Sequence, residues 1–278
     1  MGSSKINFNP HCHAPRQGAE CTARRKPTEE ISMTSRRHHP TERRAFLQAA
    51  AATALLATLP LGARAQTAGT KYKIGIIGSG RVGSAIGGAW VKAGHEVMFS
   101  SLDLEADKKL AASLGGKASA GSTREAAAFG TVLLIAVPYT AMPAVGRDLA
   151  DLIKGKIIID PSNPIVARDG DIAVAAREKG AGIAAMEYLP GARIVRAFNA
   201  IGAARMATAA SNAVRIGMPM AGDDANAISV ASALIRDVGY EPVLVGTLAA
   251  MGKYLVPGTP LAGERSPDEV RQVAAGLK

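Results

Sequence analysis

A chain of 278 residues is long enough to bury its own core, and 47% hydrophobic against 20% charged residues repays the entropy of ordering, which excludes disorder as the main state. Only one uninterrupted apolar run of any length occurs, which excludes a multipass membrane protein. The formal charge of +10 raises nucleic-acid binding, but residues 1–65 hold ten Lys/Arg against four Asp/Glu while residues 66–278 hold 23 against 19. The body is nearly balanced and lacks a basic cluster with interleaved aromatics, so no nucleic-acid partner is expected.

Both cysteines, Cys12 and Cys21, lie in the first segment, as do His11, His13, His38 and His39. The body keeps His95 alone. It cannot form a disulfide, a thiolate zinc site or a histidine metal cluster, and no acidic loop is spaced for magnesium or calcium, so no metal is expected.

Thr41-Glu42-Arg43-Arg44-Ala45-Phe46-Leu47-Gln48 reads as a twin-arginine export signal. The uncharged run Ala49–Leu59 follows, then Pro60 and the small-residue site Ala63-Arg64-Ala65. A basic region, a short apolar region and Ala-x-Ala in that order make a signal peptide cleaved after Ala65. The run is shorter than the roughly 20 residues a membrane span needs, so no stable membrane insertion is expected. Met33 is a candidate true start. These features predict a periplasmic, exported protein whose partners include the twin-arginine machinery, with residues 66–278 as its functional domain.

The body opens on Tyr72–Ile77, an apolar run suited to a buried parallel strand. Gly78-Ser79-Gly80-Arg81-Val82-Gly83 follows at once, and Ala85, Ile86, Ala89, Trp90 and Val91 then fall at helical spacing up to Gly94. His95–Phe99 reads as the second strand. Strand, GxGxxG, helix and strand within about 30 residues is the frame of a dinucleotide site. Gly78 would make the tight turn, Gly80 let the backbone approach a pyrophosphate, and Gly83 let helix and strand pack. Farther on, helices are predicted over Leu104–Leu114, Thr123–Phe129 (capped by Thr123), Met142–Ile153, Ile172–Lys179 and Asp224–Val238. Strands are predicted over Thr131–Val137, Lys156–Asp160, Arg193–Asn199 with its exit, Val214–Met218 and Glu241–Val245. This alternation implies an α/β fold, a Rossmann-type doubly wound and mostly parallel sheet with a small C-terminal extension. Ligands in such sheets bind beyond the carboxyl ends of the strands. Val137-Pro138-Tyr139, Asn163-Pro164 and Asn199-Ala200-Ile201 all fall there, whereas His95 falls at the opposite end.

From about residue 72 to about 246 the body resembles the NADP oxidoreductases dependent on coenzyme F420, and the related reductase domain of the STEAP metalloreductases. The residues carrying this are Ile76–Gly83, Gly94-His95-Glu96-Val97, Ala136-Val137-Pro138-Tyr139, Arg147-Asp148-Leu149, Arg196-Ala197-Phe198-Asn199 and Ala221-Gly222-Asp223-Asp224. The resemblance implies a pyrophosphate loop at Gly78–Gly83, a nicotinamide pocket of Val137, Pro138 and Tyr139 with Asn163 nearby, and Asn199 and Ile201 facing a second redox partner. It also implies a homodimer. One departure bears on the cofactor: Ser100-Ser101-Leu102 stands where such relatives commonly carry Ser-Arg, the Arg pairing with the 2′-phosphate of NADP. Ser100 and Ser101 can donate hydrogen bonds to a phosphate, and Arg81 could reach it, which favours NADP(H). Asp103, 20 residues past Gly83, suits the ribose of NAD, which therefore stays open.

The expected activity is hydride transfer between NADP(H) and a small-molecule acceptor, a deazaflavin, flavin or similar ring. A dehydrogenase of small carbonyls or alcohols and a non-catalytic dinucleotide binder are the alternatives. No His or Lys lies in the segments expected at the ring, so no protein acid–base residue is assigned, Tyr139 being the one candidate donor.

Overall fold

Strand β1 (Lys73–Ile77) is apolar on both faces, and an eight-stranded sheet grows from it in both directions. The computed structural model describes residues 69–209 and 215–277, which belong to one compact unit, Gln66–Lys278. The twin-arginine segment, both cysteines and Val214 lie outside the described residues.

Helix α1 (Arg81–Lys92) leads to β2 (Glu96–Ser100), α2 (Leu104–Leu114) to β3 (Ala118–Ala120), and α3 (Thr123–Phe129) to β4 (Val132–Ile135). Helices α4 (Met142–Asp148) and α5 (Ala150–Ile153) precede β5 (Ile157–Asp160). Three more, α6 (Val166–Asp169), α7 (Asp171–Lys179) and α8 (Ala181–Tyr188), precede β6 (Arg193–Arg196). The chain ends with α9 (Ala203–Met206), β7 (Gly217–Gly222), α10 (Ala225–Val238), β8 (Glu241–Gly246), α11 (Leu248–Met251) and α12 (Pro267–Ala275). The strand order is β3-β2-β1-β4-β5-β6-β7-β8, and every neighbouring pair is parallel except β6 with β7. The first six strands thus follow the doubly wound order 3-2-1-4-5-6.

Alternation along the central strands feeds a core on each face. Val132 and Leu134 join Trp90, Phe99, Phe198 and Tyr240, while Leu133 and Ile135 join Tyr139, Met142 and Ile158. Gly75 makes the tight packing possible, because a Cβ there would stand 2.1 Å from the Ala126 carbonyl oxygen.

Three local expectations change, and one short strand appears that no expectation covered. Helix α3 is capped by Ser122, not Thr123, in a reciprocal capping box with Glu125. The helix expected over Met142–Ile153 breaks at Leu149, which leaves helical geometry (φ −114°, ψ 12°) and buries its side chain. The strand expected to end at Met218 instead runs through Pro219 to Gly222. Pro219 is tolerated because β7 meets β6 only through Ala221 and Gly222, so no N–H is needed at 219 for that ladder. Strand β3, Ala-Ser-Ala, carries no hydrophobic signal and is supported by its pairing with β2.

Candidate functional site

Each glycine of the loop meets a different need. Gly78 has φ +96°, and a Cβ on it would stand 2.5 Å from the Ala136 carbonyl oxygen. A Cβ on Gly83 would stand 2.1 Å from the Gly78 carbonyl oxygen, so the helix and loop close only without one. Gly80 is exposed, and a Cβ there would meet nothing within 4 Å. Its bareness serves no packing and leaves the backbone approachable from outside. Gly80 is also the N-cap of α1, with no side chain capping the helix and no acid in its first turn. The free N–H groups and positive helix end therefore face outward, which suits a pyrophosphate. A nicotinamide dinucleotide fits this loop.

The edge beside the loop differs from the sequence expectation. The buried Ser100 donates its hydroxyl proton to the Ile76 carbonyl at 2.6 Å, and its own carbonyl accepts from the N–H groups of Gly78 and Ser79 at 2.9 and 3.0 Å. Ser100 thus shapes the loop from below and has no proton left for a phosphate. Ser101 donates to Asp107 at 2.8 Å, and Ser79 donates to the other oxygen of the same carboxylate. Asp103 is the N-cap of α2, accepting from the Ala106 N–H at 2.9 Å, and remains exposed. Asp107, buried one turn into α2, had no signal of its own in the sequence.

Beyond the carboxyl ends of the strands lies a cavity of about 550 Å³, a usual size for a small-ligand site. Val137, Pro138, Asn163, Asn199 and Ile201 line it, as does the loop through Gly80, Arg81 and Val82. Four segments well separated in sequence therefore meet at one place. The sequence reading missed Arg168 and the C-terminal wall of Pro257, Gly258 and Ala262. Pro257-Gly258 is a turn dipeptide that could have been read as a loop, though not as a cavity wall.

Tyr139 does not line the cavity. It is fully buried in the second core, edge-on to Tyr188. Burial, reinforced by the Asp160 carboxylate, raises its hydroxyl pKa well above the ordinary value. His95 lies at the far end of the sheet, buried, accepting from the Tyr72 N–H at 3.1 Å and bonded to Asp237 at 2.9 Å. It holds β1, β2 and α10 together.

Below the cavity, Arg196 and Asp160 are adjacent across β5 and β6 and form a fully buried ion pair. Arg196 also donates to the carbonyls of Ser162 and Leu255, each at 3.0 Å. Asn199 donates to the Ser162 carbonyl at 2.9 Å, and Asn163 donates to the Asn199 carbonyl at 3.3 Å. Each amide thus gives one proton to backbone, and both Oδ1 atoms are without a protein partner. Phe198 takes φ +66°, the only positive φ of a non-glycine among the described residues. A bulky residue rarely adopts it, and here the ring packs edge-on to both Trp90 and Tyr240. That anchor turns the chain sharply off β6 and brings Asn199 onto the β5 exit.

Solved structures share the fold. A hypothetical protein of Sinorhizobium meliloti is 26% identical, with a TM-score of 0.61 over 70% of this chain and 95% of its own. A protein of Arthrobacter sp. FB24, named a candidate F420-dependent NADP-reductase, is 20% identical with a TM-score of 0.55 over 67% of this chain and 90% of its own. An imine reductase variant of Myxococcus stipitatus, in complex with NAD+, is 16% identical with a TM-score of 0.50 over 75% of this chain and 60% of its own. Residues 73–164, from β1 to the turn that carries Asn163, match the family model described as NADP oxidoreductase, coenzyme F420-dependent.

Proposed function

We propose that the body of this chain is a nicotinamide-dependent oxidoreductase that transfers a hydride between NAD(P)(H) and a flat-ring acceptor, a deazaflavin, flavin or similar ring. The observation that carries this reading is an open glycine loop running into a cavity whose lining, among the described residues, has no His, Lys, Tyr, Asp or Glu. When bound, the nicotinamide supplies or takes up the hydride. The chain's part is to hold and orient. Gly78–Gly83 and the start of α1 would bind the pyrophosphate, Val137, Pro138 and Asn163 would flank one ring, and Asn199 and Ile201 would face the other. Reducing a carbonyl to an alcohol needs a proton delivered to oxygen. A guanidinium is no proton donor of the kind a carbonyl reduction needs, and the Ser162 hydroxyl already donates to Asp160 at 2.5 Å. Transfer between stacked rings asks only for contact and exclusion of water.

Tyr139→Phe is therefore expected to leave the hydride-transfer rate within about threefold of native, in single-turnover absorbance with a flavin or deazaflavin acceptor. Loss of a general acid would instead cost about 10²–10⁴-fold. Such a collapse, or turnover of small carbonyls with no ring acceptor, would favour a dehydrogenase. Binding of nicotinamide without turnover of either would leave a dinucleotide-binding protein.

Export through the twin-arginine route, folded and with cofactor bound, belongs to the same reading, since that label precedes a cofactor-binding domain. Exported protein should begin at Gln66, and Arg43→Lys with Arg44→Lys should abolish its appearance in the periplasm. An unchanged periplasmic amount would overturn export.

A further inference from the structure

We infer that Asp107 turns the ribose edge of the site into a hydrogen-bond acceptor, and that the chain thereby selects NAD(H) over NADP(H). The inference rests on the reading that a nicotinamide dinucleotide occupies the crevice. In a doubly wound sheet the adenosine half of that ligand lies beyond the end of the second strand, with its ribose 2′ position beside the residues that follow it. Here that edge is Ser79 of the loop and Ser101 after β2, both half-buried and so still open to a ligand.

A hydroxyl has one proton and two lone pairs. The Ser79 proton goes to one oxygen of Asp107, and the Ser101 proton goes to the other at 2.8 Å. The Asp103 carbonyl is a poorer acceptor for Ser101, at 3.4 Å. One Ser101 lone pair is taken by the Asp103 N–H at 3.1 Å. What the two hydroxyls have left toward the ligand is lone pairs. A ribose 2′-hydroxyl can donate to them, but a 2′-phosphate at neutral pH offers mainly acceptors and would face lone pairs and a carboxylate behind them.

The surrounding charges point the same way. Asp103 is exposed two residues beyond Ser101, and Lys108 is taken by Glu105 at 2.8 Å. Leu102, where an arginine would grip a 2′-phosphate, is an aliphatic side chain projecting fully into solvent. Arg81 lines the cavity, which Ser79 and Ser101 do not. Asp107 would not itself touch the cofactor. It acts as a positioning residue through the two serines.

The test is the pair of dissociation constants of NADH and NADPH for the full chain, read from nicotinamide fluorescence, in the native protein, in Asp107→Asn and in Arg81→Ala. Native protein is expected to bind NADH at least about tenfold more tightly than NADPH. In Asp107→Asn the amide donates to one serine, frees that serine's proton to point outward and removes the charge. The NADH preference is then expected to shrink to within about threefold or to invert, whereas a merely structural role would weaken both cofactors alike. If Asp107→Asn fails to fold, the native ratio still decides whether NAD(H) is preferred. Equal or tighter NADPH binding by native protein would overturn the inference and leave the proposed function standing, and loss of that preference in Arg81→Ala would assign it to Arg81. Binding of neither cofactor would overturn both.

Discussion

Replacing Arg196 with Met should destabilise the fold by about 3–5 kcal/mol, the usual cost of leaving one member of a buried ion pair without its partner. Total stabilities of about 5–15 kcal/mol make that a large fraction. Asp160 is fully buried, and besides Arg196 it has the Ser162 N–H at 2.8 Å and the Ser162 hydroxyl. Those two donors cannot neutralise a charge. The Met variant also takes the Arg196 donor from the Leu255 carbonyl, while the Ser162 carbonyl keeps Asn199, so the cavity floor should loosen on its Leu255 side along with the sheet. Adding Asp160→Asn to Arg196→Met removes the stranded charge and should recover part of the loss. The comparison is a set of urea midpoints for the native, single and double variants. A loss below about 1 kcal/mol in Arg196→Met, or no recovery in the double variant, would show that the pair is not carrying this load.

Two alanine substitutions three residues apart in the same loop should have opposite signatures. Gly80→Ala puts a methyl where no protein atom lies within 4 Å, in a backbone conformation (φ −63°) open to any residue. Its folding cost should stay under about 1 kcal/mol, that of a weaker N-cap. The methyl would nevertheless occupy the approach to the free N–H groups of α1, and dinucleotide affinity should fall at least tenfold, equivalent to about 1.4 kcal/mol. Gly83→Ala drives a methyl into the Gly78 carbonyl. It should cost about 1–3 kcal/mol of stability as overpacking, with binding lost as a consequence. Thermal midpoints and cofactor titrations on both variants separate the effects. If Gly80→Ala binds NADH and NADPH as native does, the loop is only a turn and the proposed function loses its main support.

The sheet was legible because its strands are continuous apolar runs and its helices have clear faces, as in Ile74–Ile77 and Ala225–Val238. The loop was legible because glycine spacing reports backbone needs directly. The cavity was legible only in part. Val137, Asn163 and Asn199 follow from the rule that ligands sit at strand ends, and that rule says nothing about which neighbouring side chain points up. Tyr139 is one residue past Pro138 and turns into the core instead. Ser100 and Ser101 were legible as polar residues, but not the direction of their protons, which is set by Ile76 and by Asp107 from another element. The wall at Pro257–Ala262 depends on how the last strands fold back against β6, a long-range pairing with no local pattern.

That wall is tied down at several points. Leu255 and Pro257 carbonyls accept from Arg196 and Arg177, the Gly263 N–H donates to Ala200, Glu264 pairs with Arg205, and the Arg265 carbonyl accepts from Gly217. A segment so fastened has already lost its conformational freedom when the chain folds, so a ligand need not order it on arrival. Association should therefore be a single concentration-dependent phase in rapid mixing, with no slower closing step behind it, and the amides of Gly263 and Gly217 should exchange with solvent as slowly in the free protein as in the complex.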